Sequence, residues 1–163
     1  MENAYHVGMA DLVVVSAPAK LITLGLGSCI GLVIFDPVAK VAGMAHIMLP
    51  DSHGSKGAEK VGKFADTAVP AVLDEMVKKG ASRSRMKAKI AGGAQMFALP
   101  GTPTDFLAVG SRNIKETTAM LVKFGVPLVA SDTGGNKGRT VEFSTDTWML
   151  AIKTLGKKDK TEI

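Results

Sequence analysis

The single cysteine of the chain is the first residue that could carry chemistry. Cys29 lies in GLGSCIG, residues 25–31, where a glycine-rich turn enters an apolar, β-branched segment. Small residues let a substrate approach the sulfur, and backbone N–H groups of such a turn can converge on a developing oxyanion. A thiol nucleophile with Gly27 and Ser28 beside the oxyanion is one interpretation. A buried cysteine that serves only as a small hydrophobic residue is the alternative.

A histidine in the next apolar segment could activate this thiol. His46 interrupts KVAGMAHIML, residues 40–49, which follows the short turn DPVA. If residues 29–35 and 40–49 pair as an antiparallel hairpin, Cys29 and His46 meet at the same end. The arrangement depends on register, because a slip of one residue puts the two side chains on opposite faces. In the right register, the imidazole takes the thiol proton, and a thiolate–imidazolium pair lowers the cysteine pKa. The alternative is a core histidine whose ring nitrogens are hydrogen-bonded and which has no catalytic role.

A third residue could orient the imidazole, as in catalytic triads. Thr23 places a hydroxyl in the apolar stretch LITL, and Asp36 and Asp51 are the other candidates nearby in the sequence. His53 lies in a polar, glycine-rich loop and His6 lies near the amino terminus, so neither is expected to take part. Three histidines and one cysteine show no metal-ligand spacing, so we expect no metal site.

Two further glycine-rich segments could form the walls of a cleft around Cys29. They are IAGGAQMF, residues 90–97, and SDTGGNKGRT, residues 131–140. The first supplies candidate substrate-binding residues, which are Gly92, Gly93, Gln95 and Phe97. Ordinary turn chemistry at strand ends is the alternative for both segments. Neither GLGSCIG nor residues 131–140 has the spacing of a dinucleotide fingerprint or a P-loop.

Apolar runs alternate with Gly and Pro along the whole chain and predict an α+β protein. The predicted helices cover residues 64–79, where Pro70 implies a kink or a start near Asp66, and 114–124, where Asn113 would be the N-cap. We expect one layered α/β domain over residues 1–163, with mixed or antiparallel sheets flanked by two main helices and loose ends at 1–10 and 156–163. The predicted strands are residues 12–15, 21–24, 29–35, 40–49, 87–90, 126–130, 139–143 and 148–152.

Composition limits the classes of protein to which the chain can belong. The chain has 163 residues, 46% of them hydrophobic and 21% charged, with one cysteine and a net charge of +5. These values suit a soluble, cytoplasmic domain without disulfides, and no stretch resembles a signal peptide or a membrane span. Residues 78–89 hold six basic residues and no acid. Such a segment could contact an acidic partner, but few aromatic residues and no zinc-finger spacing argue against nucleic acid. A solvated basic surface is the alternative.

Five blocks of sequence, in order over most of the chain, carry a family resemblance. They are TLGLGSC (23–29), MAHIMLPD (44–51), KFADTAV (63–69), AKIAGGAQMF (88–97) and DTGGNKGR (132–139). Together they resemble CheD, the chemoreceptor glutamine deamidase family of bacterial and archaeal chemotaxis. The resemblance implies a sandwich fold related to the catalytic domain of cytotoxic necrotizing factor toxins, which deamidate glutamines with a Cys–His pair.

The resemblance also implies roles for individual residues. Cys29 matches the family nucleophile, His46 the general base and Thr23 the residue that orients the imidazole. The implied reaction converts glutamines of methyl-accepting chemotaxis receptors to glutamate through a thioester, in the cytoplasm, without a cofactor and without membrane insertion. Binding of a CheC-type phosphatase is implied as a second role, and the chain could act mainly as that regulatory partner. The residues alone leave open a Cys–His hydrolase of peptide bonds or a transamidase.

Overall fold

The computed structural model describes residues 2–55, 57, 59–96 and 108–163. Within them the chain forms ten strands, two α-helices and two short 3-10 turns, Val61–Lys63 and Arg83–Arg85. The helices are α1 (Ala65–Lys78) and α2 (Val109–Lys123). The strands are β1 (Asn3–His6), β2 (Leu12–Ser16), β3 (Ala19–Leu26), β4 (Ile30–Asp36), β5 (Val41–Ile47), β6 (Lys87–Gly92), β7 (Leu128–Thr133), β8 (Arg139–Ser144), β9 (Met149–Thr154) and β10 (Thr161–Glu162).

The strands form two five-stranded sheets. Sheet A has the order β1-β3-β8-β9-β10, and sheet B has the order β2-β5-β4-β6-β7. Both are mixed, because β1 runs parallel to β3 and β6 runs parallel to β7, while the remaining pairs are antiparallel. The prediction of an α+β protein with mixed sheets and two main helices is confirmed.

The two sheets and the helices form three layers with two apolar cores. One core lies between the sheets, where Leu21 and Phe143 of sheet A meet Val33 of sheet B. The other lies between sheet B and the helices, where Leu32 packs with Leu73 of α1. Sheet B is thus covered on both faces, and all residues of β4 and β5 are buried. This double burial explains their continuous apolar sequences, since such strands lose the apolar–polar alternation.

Strands β4 and β5 form the predicted hairpin. Ile30 pairs with Ile47, Gly31 with His46, and the ladder continues to the turn at Asp36. The Asp36 carboxylate closes this turn, because its Oδ1 accepts hydrogen bonds from the N–H groups of the two residues after Pro37. The hairpin therefore places the start of β4 beside the end of β5.

The helices differ from prediction at their starts. Helix α1 begins at Ala65, one residue before the start that Pro70 implied, and continues through that proline. Helix α2 begins at Val109, five residues before the predicted start, so Asn113 lies inside the helix and is not its N-cap. The sequence did not predict this earlier start, because the glycine and proline residues upstream of α2 disfavour a helix.

Both ends of the chain contain paired strands, although the sequence predicted them to be loose. Strand β1 adds to the free edge of β3, and the Val7 N–H continues the pairing with a 2.7 Å bond to Ile22 O. At the other end, β10 pairs with β9, and Ile163 exchanges two backbone hydrogen bonds with Leu150. These pairings are long-range, so short polar segments such as 3–6 and 161–162 give no periodic signal of them.

Candidate active site

Cys29 lies in the turn of residues 27–29, which connects sheet A to sheet B. Each carbonyl group of this turn accepts a hydrogen bond of 2.9 Å: Gly27 from the Ala94 N–H, Ser28 from Asn113 Nδ2, and Cys29 from the Gly93 N–H. In a trans peptide the N–H points opposite to the C=O of the same unit. The N–H groups of Ser28 and Cys29 therefore point away from these partners, and neither donates a hydrogen bond within the described residues.

The register of the hairpin puts Cys29 and His46 on the same face of sheet B. Gly31 lies directly opposite His46, and Cys29, two residues earlier, shares the face of Gly31 toward the core between the sheets. Extending the ladder one residue beyond the Ile30–Ile47 pair makes Cys29 a diagonal neighbour of His46. A side chain at Gly31 would press against Leu26 and Val141, with Cβ contacts of 3.1 and 3.3 Å. The predicted antiparallel hairpin, which puts the start of one strand beside the end of the next, is confirmed.

A chain of hydrogen bonds fixes the His46 imidazole. Thr23 Oγ1 lies 2.6 Å from Val7 O and 2.7 Å from His46 Nδ1. A carbonyl oxygen can only accept, so the single hydroxyl proton goes to Val7 and Thr23 must accept from Nδ1–H. The neutral imidazole therefore carries its proton on Nδ1 and a lone pair on Nε2. Nε2 is buried and has no hydrogen-bond partner among the described residues.

Burial disfavours the charged form of each member of the pair. Burial raises the pKa of the Cys29 thiol above its ordinary value. Burial also lowers the pKa of His46, and the Asp11 carboxylate offsets only part of that effect. The raised pKa of Cys29 is opposite to the lowered cysteine pKa expected from the sequence, because the core between the sheets disfavours both charges.

The glycine that ends β6 and the one that follows it are needed for close packing around this turn. Gly92 has a φ of +110°, and a Cβ there would overlap the carbonyl oxygen of Cys29. Gly93 has a φ of +68°, and a Cβ there would overlap the side chain of Ile114 on α2. Both residues therefore contact the site through their backbone, where they let β6 and α2 approach Cys29.

The rest of that glycine-rich segment lies at the rim of the turn. The Gln95 N–H donates a 2.8 Å hydrogen bond to Gly135 O, which joins the two segments predicted to wall a cleft. Met96 lies over Gly27, where an added Cβ would be 3.1 Å from its Cγ, and its side chain is partly exposed. Phe97, another candidate substrate-binding residue, lies outside the described residues.

Asn113 is a site residue that sequence reasoning missed. Its side chain is fully buried, and Nδ2 donates to Ser28 O at 2.9 Å and to Met48 O at 3.0 Å. One amide group thus joins the turn that carries Cys29 to the strand end that carries His46. The available signal was an asparagine among helix-forming residues, which also suited an N-cap.

Thr23 alone, among the three candidates for an orienting residue, contacts His46. Asp36 lies at the opposite end of the hairpin and forms an ion pair with Arg85 at 3.1 Å. Asp51 lies beside the exposed His53, 3.4 Å away. Both acids are therefore engaged elsewhere.

The basic segment of residues 78–89 lies mostly away from this site. Lys87 starts β6 opposite Phe35, whereas Gly92 at the other end of β6 lies opposite Ile30. At about 3.3 Å per residue, the two ends of β6 are roughly 16 Å apart. Part of the segment is also structural, because Lys89 is buried and donates to the carbonyl groups of Trp148 and Ile163. Two exposed cations, Arg112 and Lys115, flank Asn113 on α2.

The described residues hold no group of three or more His, Cys, Asp or Glu side chains arranged to bind a metal ion. Neither of the two described α-helices has the length and apolarity needed to cross a membrane.

Comparison with known proteins places the chain among relatives of close to its own length. A chain from Caldanaerobacter subterraneus subsp. tengcongensis, named a probable chemoreceptor glutamine deamidase CheD, is 49% identical over 151 residues, 93% of each chain. One from Halalkalibacterium halodurans, named a chemoreceptor glutamine deamidase CheD, is 46% identical over 161 residues, 98% of this chain and 99% of the relative.

Two solved structures share the fold at low sequence identity. The Neisseria meningitidis protein NMB0706 superimposes with a TM-score of 0.52 and 11% identity, over 82% of this chain and 64% of its own. The Bacillus licheniformis hypothetical protein YfiH gives a TM-score of 0.50 and 14% identity, over 77% of this chain and 51% of its own. The family model described as CheD chemotactic sensory transduction matches residues 48–154. On the model match and the full-length relatives together, the chain belongs to the CheD family.

Proposed function

We propose that this protein deamidates glutamine side chains of methyl-accepting chemotaxis receptors through a thioester on Cys29. One observation carries the proposal: His46 presents a buried Nε2 lone pair, without a partner among the described residues, on the same sheet face as the only thiol of the sequence. The 2.7 Å bond from Nδ1–H to Thr23 fixes the tautomer that leaves this lone pair free. The names of the full-length relatives supply the substrate class.

The first half-reaction forms the thioester. As the glutamine carboxamide reaches Cys29, His46 Nε2 takes the thiol proton and Sγ attacks the amide carbon. The carbonyl oxygen gains negative charge and is stabilised by the N–H groups of Ser28 and Cys29. The intermediate collapses when the C–N bond breaks, and the imidazolium gives its proton to the departing nitrogen, which leaves as ammonia.

The second half-reaction hydrolyses the thioester. A water molecule gives a proton to His46 Nε2 while its oxygen attacks the acyl carbon, and the same N–H groups stabilise the new oxyanion. The C–S bond then breaks, and Sγ recovers a proton from the imidazolium. Glutamine and water become glutamate and ammonia, and Cys29 and His46 return to their neutral forms. The neutral resting pair suits this cycle, because each charge exists only while substrate is bound.

Deamidation is separated from the related Cys–His reactions by its product. The test incubates a receptor cytoplasmic fragment with this protein and, separately, with the Cys29→Ala and Cys29→Ser variants. We expect glutamine-to-glutamate conversion at defined positions by peptide mass spectrometry, with equimolar ammonia, and neither product with Cys29→Ala. Cleaved peptides would identify a peptidase, and amine-linked adducts in the presence of an added amine would identify a transamidase. Full conversion by the alanine variant would overturn the role of Cys29.

Binding of a CheC-type phosphatase is a second proposal, and the family resemblance alone supports it. A partner that imitates a receptor helix would occupy the cleft next to Cys29. The expected results are that a CheC-type protein competes with the receptor fragment and that Cys29→Ala still binds it. If Cys29→Ala leaves a chemotaxis phenotype intact in cells, phosphatase regulation is the main role and deamidation is secondary.

A further inference from the structure

We infer that Asn113 is a positioning residue that orients the Ser28–Cys29 peptide, so that the Cys29 N–H can serve as an oxyanion donor. The inference rests on the proposed function and extends it to a residue on α2. Asn113 is fully buried, and both Nδ2 hydrogens have an acceptor, Ser28 O at 2.9 Å and Met48 O at 3.0 Å.

The position of this amide relative to the hairpin explains its effect. The β4–β5 ladder ends at the pair Ile30–Ile47, so the segments around Cys29 and Met48 continue beyond the last ladder pair. Asn113 Nδ2 joins these two segments where backbone pairing has stopped. One side chain therefore fixes the separation between the turn of Cys29 and the strand end of His46.

The peptide geometry links Asn113 to the oxyanion. The C=O of Ser28 and the N–H of Cys29 belong to one planar unit and point in opposite directions. Because Asn113 binds that C=O from the α2 side, the Cys29 N–H points away from α2. The neighbouring carbonyl groups of Gly27 and Cys29 bind backbone N–H groups, which almost any residue supplies. The Ser28 carbonyl depends on the type of side chain at position 113.

Packing of α2 on the sheet does not by itself account for an asparagine here. Asparagine is a poor helix former, and this one lies inside α2. Its Oδ1 is buried without a hydrogen-bond partner among the described residues, which adds a desolvation cost. An apolar residue of similar size would fill the same space without that cost. The distinguishing contribution of Asn113 is the pair of bonds from Nδ2.

The test compares the variants Asn113→Ala and Asn113→Leu with the unmodified protein and with the control variant Thr118→Ala. Thr118 lies on the same helix and bonds only to Ile114 O, so its variant controls for loss of a side-chain hydrogen bond on α2. Two rates are measured: receptor deamidation, which forms an oxyanion, and alkylation of Cys29 by iodoacetamide, which forms none. We expect both Asn113 variants to lose about 10²-fold in kcat with little change in KM. Alkylation rates should stay within about twofold of the starting protein.

Each outcome decides the matter. Asn113 variants that fold and keep at least a third of kcat overturn the inference, as does an equal loss of deamidation and alkylation, which would indicate general disruption of the turn. If the alanine variant does not fold, the leucine variant, which preserves the branched shape of the side chain, gives the answer, and unfolding of both assigns Asn113 to the fold alone. If the unmodified protein releases no ammonia from any receptor fragment, the proposed function fails first and this inference fails with it.

Discussion

Thr23 and His46 connect the two sheets through a hydrogen bond of 2.7 Å between Oγ1 and Nδ1. Thr23 lies on β3 of sheet A and His46 on β5 of sheet B, so the proposed base is oriented from the opposite layer of the sandwich. Because the hydroxyl proton is already donated to Val7 O, the threonine acts on His46 only as an acceptor. This relation selects one tautomer and leaves Nε2 free to accept a proton.

Removal of the Thr23 hydroxyl should impair catalysis more than folding. Thr23→Val preserves shape but leaves Val7 O and His46 Nδ1 without a partner, at a cost of about 1–3 kcal/mol in the free energy of unfolding. The imidazole can then carry its proton on Nε2, and we expect kcat to fall by about 10²-fold. Urea unfolding and deamidation rates measure the two effects. Thr23→Ser retains the hydroxyl and should keep most of the activity; equal losses in both variants would refute the tautomer argument.

The pH dependence of deamidation should report the lowered pKa of His46. Activity requires neutral His46, so kcat/KM falls as the pH drops through a pKa below the ordinary 6.5. The Asp11 carboxylate raises this pKa in part, and Asp11→Asn should therefore move the acid limb to still lower pH. Asp146→Asn, an exposed acid on a turn of sheet A, is the control and should leave the limb in place. A shift of the limb to higher pH in Asp11→Asn would contradict the assignment.

The same pKa has a consequence for stability. His46 binds a proton less readily in the folded than in the unfolded chain, so the unfolded state gains protons first as the pH falls below 6.5. The contribution of neutral His46 to stability is therefore fully present above that pH. It is lost progressively as the pH falls toward the lower folded pKa. Thermal unfolding between pH 7.5 and 5 should show this loss, and His46→Gln should reduce it.

Alkylation of Cys29 can separate a neutral pair from a preformed ion pair. Burial raises the pKa of the thiol above 9.0, so its rate of reaction with iodoacetamide should be low at pH 7 and rise with a midpoint above that value. His46→Asn should leave this alkylation rate nearly unchanged at pH 7 while deamidation falls by about 10²- to 10⁴-fold. A fast, pH-independent alkylation near pH 6 that depends on His46 would instead indicate a thiolate–imidazolium pair.

Charge reversals on the two basic regions should differ in effect. Arg112 is exposed at the end of the molecule that carries Cys29, whereas Arg83 lies beyond the opposite end of β6. If receptor helices are rich in glutamate, Arg112→Glu should raise KM by roughly 3- to 10-fold at low salt, and the effect should weaken as salt increases. Arg83→Glu changes the net charge equally and serves as the control. Equal changes in KM for the two variants would indicate that the net charge of the protein attracts the receptor, without a local contact at Arg112.

Local patterns predicted the pairing of the proposed dyad. The break at Asp36-Pro37 between two apolar runs fixed the hairpin, and counting from that turn put Cys29 and His46 at one end. The residues that complete the site come from distant segments. Thr23, whose hydroxyl donates to Val7 O, reaches His46 from sheet A, and no periodicity in the sequence reports how two sheets stack. The pairing of β3 with β8 spans more than a hundred residues and depends on the whole fold.

The role of Asn113 could not be predicted from the sequence for a related reason. As the first residue before an apolar run, with a glutamate three positions later, it has the sequence signature of an N-cap. The helix instead begins at Val109, since Gly110 packs against the backbone of Gly93 and leaves room for an earlier turn of helix. The close approach of two backbones is determined by tertiary packing, and helix propensity, which depends on local sequence, does not predict it.

That close packing leads to a prediction for Gly92. Its φ of +110° resembles the +100° of Gly80, so alanine at either position incurs a similar backbone strain of about 1–2 kcal/mol. The surroundings differ, because a Cβ at Gly92 overlaps the Cys29 carbonyl oxygen, while one at Gly80 meets nothing within 4 Å. Gly80→Ala should lower stability and leave kcat unchanged. Gly92→Ala should also displace the turn of Cys29 and reduce kcat by about 10²-fold, as misplacement of a nucleophile does. Chemical denaturation and deamidation assays on both variants give the comparison. Equal kcat values would mean that the turn of Cys29 tolerates displacement and that the hydrogen bonds to its carbonyl groups do not control catalysis.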